Sequence, residues 1–265
     1  MRHALFVPIF DALCDPTVVA GLAEAAERAG WDGFFCWDHV AYREPVTAIA
    51  DPWVTLSAVA CATERIRLGP MVTPLARRRP VQVAREVATL DALSQGRVTL
   101  GVGLGDDGAG EFAGTGEERD PRVRGQMLDE SLDVLREAWT GETVRHRGQH
   151  YVLDGIAVRP RPLQQPHPPV WAAVRHGNRA PLRRAARCDG VFPIGLADAD
   201  QLAEIIGEVA SRRTGGGPFD VAVALPARSD PAPYASAGAT WRLVEFSPYD
   251  LSVDDVLGVV RDGPG

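Results

Sequence analysis

Residues 80–103, PVQVAREVATLDALSQGRVTLGVG, carry the pattern on which the fold turns. Pro80–Leu93 reads as a helix with proline at its first position, where the missing N–H would have had no helical partner. Gly96 ends the turn that follows, and Val98–Val102 is a short apolar run of strand character. A strand with little polar alternation fits a parallel sheet covered on both faces by helices.

The same unit recurs on both sides. Toward the N-terminus, Ala4–Phe10 is the first predicted strand, Thr17–Ala29 a helix between Pro16 and Gly30, and Gly33–Trp37 the second strand. Pro52–Thr63 follows as helix and Ile66–Val72 as the third strand, and a helix over Val123–Trp139 closes the fourth unit. The rhythm then breaks at Gly141. Val144–Arg147 and His150–Leu153 flank Gly148 as a small hairpin, and Arg159–Pro169 holds too many prolines for regular structure. Residues 141–168 are therefore predicted as an insertion between the fourth helix and the fifth strand. Alternation resumes with strands Val170–Val174, Gly190–Ile194, Val221–Leu225 and Thr240–Phe246. Their helices are Arg179–Arg187, Asp198–Arg213, a single turn within Asp230–Gly238, and Val253–Arg261. Eight strand–helix pairs predict a (β/α)8 TIM barrel, one domain over residues 1–265, close to the typical barrel length of about 250 residues. A doubly wound open sheet is the alternative, but it needs a switch point and the pattern marks none.

Composition narrows the function. Apolar residues make up 45% and charged residues 24%, enough for a large core. Lys and Arg number 28 against 35 Asp and Glu, a net charge of −7, which argues against a general nucleic-acid binder. No apolar run approaches the roughly 18 residues of a membrane helix. Residues 1–10 lack the layout of a signal peptide. Cys14, Cys36, Cys61 and Cys188 show neither metal nor redox spacing, so free thiols in a reducing cytoplasm are expected. His146 and His150 are four apart, but Gly148 spoils the helix a metal pair would need, and no metal site is expected.

Several motifs, in order, resemble one family. They include EAAERAGWDG (residues 24–33) running into Trp37-Asp38-His39, then Asp51-Pro52-Trp53, TERIRLG (63–69) and Val72-Thr73-Pro74. Arg78-Arg79-Pro80, SQGR (94–97), LGVG (100–103), Asp120-Pro121-Arg122, Pro169-Val170-Trp171 and LRRAAR (182–187) continue the series. Together they resemble the bacterial-luciferase-like flavin and deazaflavin oxidoreductases across about the first 195 residues. The resemblance implies a barrel that binds coenzyme F420 or reduced FMN at its C-terminal rim and acts on a small organic substrate. Some members activate oxygen and others only pass a hydride; both chemistries stay open here. Members often form homodimers, and no feature of this sequence sets the stoichiometry.

The resemblance also assigns residues. Asp38 and His39 fall beside the isoalloxazine ring, His39 as hydrogen-bond donor or acid/base and Asp38 as its orienter. Read without the family, His39 is a loop histidine bonded to backbone. Met71, Val72 and Thr73 end strand three, where deazaflavin relatives carry a non-prolyl cis peptide, here placed at Met71-Val72. Gly103-Leu104-Gly105-Asp106-Asp107-Gly108 spells GxGxxG, but it falls in the fourth unit, carries two acids and opens no helix, so a dinucleotide site is rejected. Gly103 and Gly105 instead form a rim loop against the flavin's pyrimidine edge, with Glu111 (a candidate catalytic residue) and Phe112 on the substrate side. Val174, Arg175, His176, Gly177 and Asn178 precede a helix and are implied to hold the cofactor phosphate. The run Arg77-Arg78-Arg79 reads as a solvated basic face, with an anionic cofactor tail as the alternative. Two other functional classes remain: a non-catalytic flavin-binding barrel, and a hydrolase or isomerase sharing only the topology.

Overall fold

The computed structural model describes residues 1–264. Its strands are β1 (Arg2–Val7), β2 (Gly33–Cys36), β3 (Arg67–Pro70), β4 (Thr73–Pro74), β5 (Leu100–Gly103), β6 (Thr143–Arg147), β7 (Val152–Ala157), β8 (Val170–Val174), β9 (Gly190–Pro193), β10 (Asp220–Pro226) and β11 (Trp241–Glu245). Helices α1 (Pro16–Arg28), α2 (Pro52–Ala62), α3 (Pro80–Leu93), α4 (Pro121–Trp139), α5 (Arg179–Ala185), α6 (Ala199–Ala210), α7 (Ala232–Ser236) and α8 (Val253–Asp262) are interleaved with them.

The helix starts are written in Asp-Pro pairs. Asp15, Asp51 and Asp120 each precede a proline and accept a backbone N–H of the first turn with the side chain. Such a cap is worth about 1 kcal/mol. In α8 the cap is reciprocal, with Ser252 and Asp255 each accepting the other's amide.

The main sheet runs β3-β2-β1-β11-β10-β9-β8-β5-β4, and every pairing in it is parallel. Only Met71 and Val72 separate β3 from β4, so these two short strands are one run: β3 pairs with β2 and β4 with β5. Nine strands thus fill eight positions, and a parallel bridge from Leu68 to Val98 joins the ends into a barrel. Gly69 makes that closure possible. A Cβ there would stand 1.8 Å from the Thr99 carbonyl oxygen, so no other residue fits between the strands.

Helices cover the outside, and the interior is filled by alternate residues of each strand. Trp171 and Trp241 pack with ring centroids 5.5 Å apart, and Phe35 lies 5.5 Å from Trp171. Arg2 caps this cluster from the N-terminal side, 4.6 Å over the Trp241 ring. On β8 the next inward residue after Trp171 is Ala173, and on β10 Ala222 is followed by Ala224. Small side chains at this level leave room at the C-terminal end.

Most predicted boundaries hold within a few residues, and the differences have local causes. The first strand stops at Val7, because the chain turns at Pro8 and Phe10 pairs across to Ile49 instead. The third strand is broken at Met71–Val72, whose peptide bond is cis. In the insertion, β6 and β7 form an antiparallel hairpin, but β7 begins at Val152 and runs to Ala157 after a register shift at Val144/Arg145. Glu130 of α4 fastens this hairpin: it accepts the amides of His150 and Tyr151 and contacts His146 Nε2 at 2.9 Å. His146 therefore serves packing. Among the described residues no three His, Cys, Asp or Glu side chains form a metal-binding group, and no helix is long and apolar enough to cross a membrane.

Candidate active site

The C-terminal ends of β2, β3, β4 and β5 bring together Asp38, His39, Thr73, Arg77 and Glu111. Arg77 is the hub. Its Nη1 donates to Glu111 Oε1 at 2.7 Å, and its Nη2 donates to Asp38 Oδ1 at 2.8 Å and to the Asp38 carbonyl at 3.1 Å. Arg78 adds bonds from Nε and Nη2 to the same Asp38 carboxylate at 3.2 and 3.0 Å, and Thr73 Oγ1 donates to Asp38 Oδ2 at 2.9 Å. Asp38 is thereby saturated and its side chain fully covered. Two arginines around one buried carboxylate offset the cost of taking it out of water. Burial works against the charge on Arg78, but Asp38 outweighs it and holds the guanidinium above its usual pKa.

His39 leans on the other carboxylate. Its Nδ1 lies 3.2 Å from Glu111 Oε1, an ion-pair contact whose geometry falls short of a hydrogen bond. Glu111 also accepts the Val40 amide at 2.7 Å. Burial alone would raise the Glu111 carboxyl, yet His39, the Val40 amide and Arg77 together hold it below the usual range. The imidazole is packed edge-on to Phe10 and Tyr42, with centroids 5.9 and 5.1 Å away, and keeps about a quarter of its side chain exposed.

Three expectations need correction. Asp38 does not orient His39; its carboxylate is spent on Arg77, Arg78 and Thr73, and Glu111 is the residue that touches the imidazole. Glu111 and Phe112 do not line a substrate surface, since both are buried, and Phe112 lies under the Arg124 guanidinium at 4.2 Å. Arg77 and Arg78 are not a solvated face: their side chains are only 5% and 18% exposed. The clue available was position, because a basic run directly after strand three faces an acid directly after strand two.

The remaining predicted residues divide in the same way. Thr73 and Met71 are buried, while Val72 is partly exposed beside Trp37, Ala173, Ile194 and Ala224, which form an apolar floor to the mouth. Gly103 is pressed against that floor; a Cβ there would come within 2.7 Å of Val72 Cγ2. Gly105 has φ 73° with the Phe112 ring filling the space beside it. No helix follows this loop until Pro121, as the rejection of a dinucleotide motif requires. Across the mouth, Val174 is buried at the end of β8, and Arg175, His176, Gly177 and Asn178 are exposed. His176 is engaged with Glu204 at 2.8 Å, so Arg175 is the cation of that loop with an uncommitted guanidinium.

An apolar floor with a buried, unpartnered indole N–H suits a planar ring with a polar edge. The Trp37 Nε1 is buried without a hydrogen-bond partner, whereas His39 Nδ1 is turned to Glu111 at 3.2 Å. A flavin or deazaflavin ring has that shape and chemistry, so the residues present fit the group.

Comparison with known proteins agrees. The family model described as luciferase-like monooxygenase matches residues 14–235. The F420-dependent glucose-6-phosphate dehydrogenase of Nakamurella multipartita is 35% identical over 179 residues, 65% of this chain and 50% of that protein. The oxygenase component of the flavin-dependent trigonelline monooxygenase of Acinetobacter baylyi is 27% identical over 191 residues, 72% and 52% of the two chains. The chain thus spans about half the length of these curated relatives. Among solved structures, the monooxygenase RslO1 from Streptomyces bottropensis superposes with a TM-score of 0.80 over 98% of this chain and 97% of that one, at 20% identity, a likeness of fold.

Proposed function

The chain belongs to the luciferase-like monooxygenase family, and from that premise we propose that it is an oxidoreductase moving two electrons between coenzyme F420 or reduced FMN and a small organic substrate. The observation that carries the reading is the network Asp38–Arg77–Glu111, which fixes His39 at the C-terminal mouth of a barrel, the end where barrel enzymes place their chemistry. The cofactor would supply the electrons; the chain supplies position and protons.

In this reading Trp37, Val72, Ala173 and Ile194 would support the ring, and Gly103 and Gly105 would border it. His39, held at Nδ1 by Glu111, would be the residue to donate a hydrogen bond or exchange a proton. Asp38, Thr73 and Met71 act behind that face. Val174 to Asn178 take the phosphate side, with Arg175 giving the charge-assisted bond. Residues 1–265 work as one barrel unit, and the chain works in the cytoplasm without nucleic acid, as a monomer or homodimer.

Titration of the purified protein with F420 and, separately, with FMN in both oxidation states is the test. Saturable binding of either at the mouth is expected, followed by absorbance change when a substrate panel is added. Binding of F420 points to hydride transfer, and binding of reduced FMN with oxygen consumption points to a monooxygenase. Failure of both cofactors to bind overturns the proposal.

A further inference from the structure

One acidic side chain at the mouth plays no part in the network around Arg77. Glu245 ends β11, where Trp241 and Leu243 pack inside the barrel. The two-residue period of a strand carries Glu245 to the same inner face one layer higher. In register it lies beside Phe6 on one neighbour and Pro226 on the other. Burial, with nothing to offset it, pushes its carboxyl above the usual range. Among the described residues no arginine, lysine or hydrogen-bond donor is paired with it. Arg175, the cation across the mouth, is separated from it by β10 and β9.

A chain of aromatic rings starts at Phe6, its register neighbour. Phe6 and Trp37 have centroids 5.5 Å apart, Trp37 and Tyr42 6.1 Å, and Phe10 and Tyr42 5.0 Å. Tyr249 continues the line 6.1 Å beyond Tyr42, to a cleft of about 360 Å³ that it lines together with Phe10 and Asp250. The Tyr42 phenol is pushed up by burial first, with Tyr249 and, more weakly, Glu245 adding to it and Arg43 opposing. The cleft adjoins Tyr249 rather than Glu245, and its charged lining residues are Asp11 and Asp250.

We propose that Glu245, with the faces of Phe6 and Tyr42, recognises a cationic nitrogen on the substrate, a quaternary or protonated amine in a compact organic molecule. Ring faces carry negative potential and attract cations most strongly where water is displaced. A carboxylate lacking a counter-ion in the same space gains a partner from a cationic substrate, is left unpaired by a neutral one and repels an anionic one. The inference rests on the mouth being the substrate side, as the proposed function has it, but not on which cofactor binds.

Calorimetric titration of the protein alone tests it, with phenyltrimethylammonium as probe and tert-butylbenzene as its neutral isostere. The cation is expected to bind at least tenfold more tightly than the isostere. Glu245→Gln should remove about tenfold of the cation's affinity and leave the isostere unchanged, and Tyr42→Leu should also narrow the preference. Equal affinity for the two probes, no binding of either, or undiminished cation binding by Glu245→Gln overturns the inference. Unfolding midpoints of both variants confirm that folded protein is compared. Cation binding without cofactor binding sinks the proposed function and spares this inference; cofactor binding without cation preference does the reverse.

Discussion

Asp38 and Glu111 are held by the two terminal nitrogens of a single guanidinium, Arg77 Nη2 at 2.8 Å and Nη1 at 2.7 Å. The loop after β2 and the loop after β5 are thereby tied together under His39. Three of the four groups at this junction are charged and nearly covered, so each depends on the others for its compensation.

Arg77→Met keeps the volume and removes the charge, leaving Glu111 without its cation and Asp38 with Arg78 alone. Breaking a buried pair from one side costs about 3–5 kcal/mol, because the remaining charge stays buried. A loss of that size in urea unfolding is expected, together with weaker cofactor binding. The double variant Arg77→Met with Glu111→Gln should recover part of the stability. Single and double variants of equal stability would show that the bridge contributes little.

Stability should fall steeply in acid. Glu27, buried at the end of α1, accepts the amides of Glu64, Arg65 and Ile66 at 3.0, 2.6 and 2.9 Å. Burial opposes its charge, yet these bonds outweigh it and depress its pKa. Glu111 and Glu130 are depressed too. A carboxyl depressed in the fold stabilises it above the unfolded value, about 4.3, and loses that contribution as pH falls through the folded value. Urea midpoints are therefore expected to drop below about pH 4 as these carboxyls protonate. Glu27→Gln should lie lower at neutral pH and drop less in acid; parallel curves would remove Glu27 from the account.

The barrel could be read from the sequence because its determinants are local. Proline at helix starts, glycine at stops and apolar runs such as Val170–Val174 each act within a few residues. The contiguous motif Trp37-Asp38-His39 was legible as a strand-end cluster, and it does stand at the C-terminal mouth. What escaped was pairing. Nothing local to Asp38 says that its partners are Arg77 and Arg78 rather than His39, or that Glu111 turns inward; those bonds exist only once the strand ends stand side by side. Glu245 was within reach, since Trp241, Leu243 and Glu245 share one face of a strand by simple alternation.

His39→Ala should separate chemistry from binding. An imidazole acting as acid, base or donor contributes about 10²–10⁴ in rate. Turnover is expected to fall by that order while cofactor affinity stays within a few-fold. Glu111→Gln should cost less, and the double variant should be no slower than His39→Ala, because Glu111 acts through the imidazole. Stopped-flow turnover of all three checks this. Unchanged turnover in His39→Ala would leave the barrel as a flavin binder without that acid/base group.

Gly103 offers a steric test of where the cofactor lies. A methyl group there would meet Val72 Cγ2 at 2.7 Å and Ala173 Cβ at 3.4 Å. Its backbone φ lies outside the left-handed region, so alanine is tolerated conformationally and the penalty comes from packing. Overfilling a tight contact costs about 1–3 kcal/mol and moves whichever neighbour can yield. Val72, partly exposed at the floor of the mouth, is the one with room, and displacing it would alter the floor proposed for the ring. Gly103→Ala is therefore expected to remain folded and to lose at least tenfold in cofactor affinity. Adding Val72→Ala removes the colliding methyl and should restore most of the binding. Normal affinity in Gly103→Ala, or no recovery in the double variant, would mean that the ring does not rest on this floor.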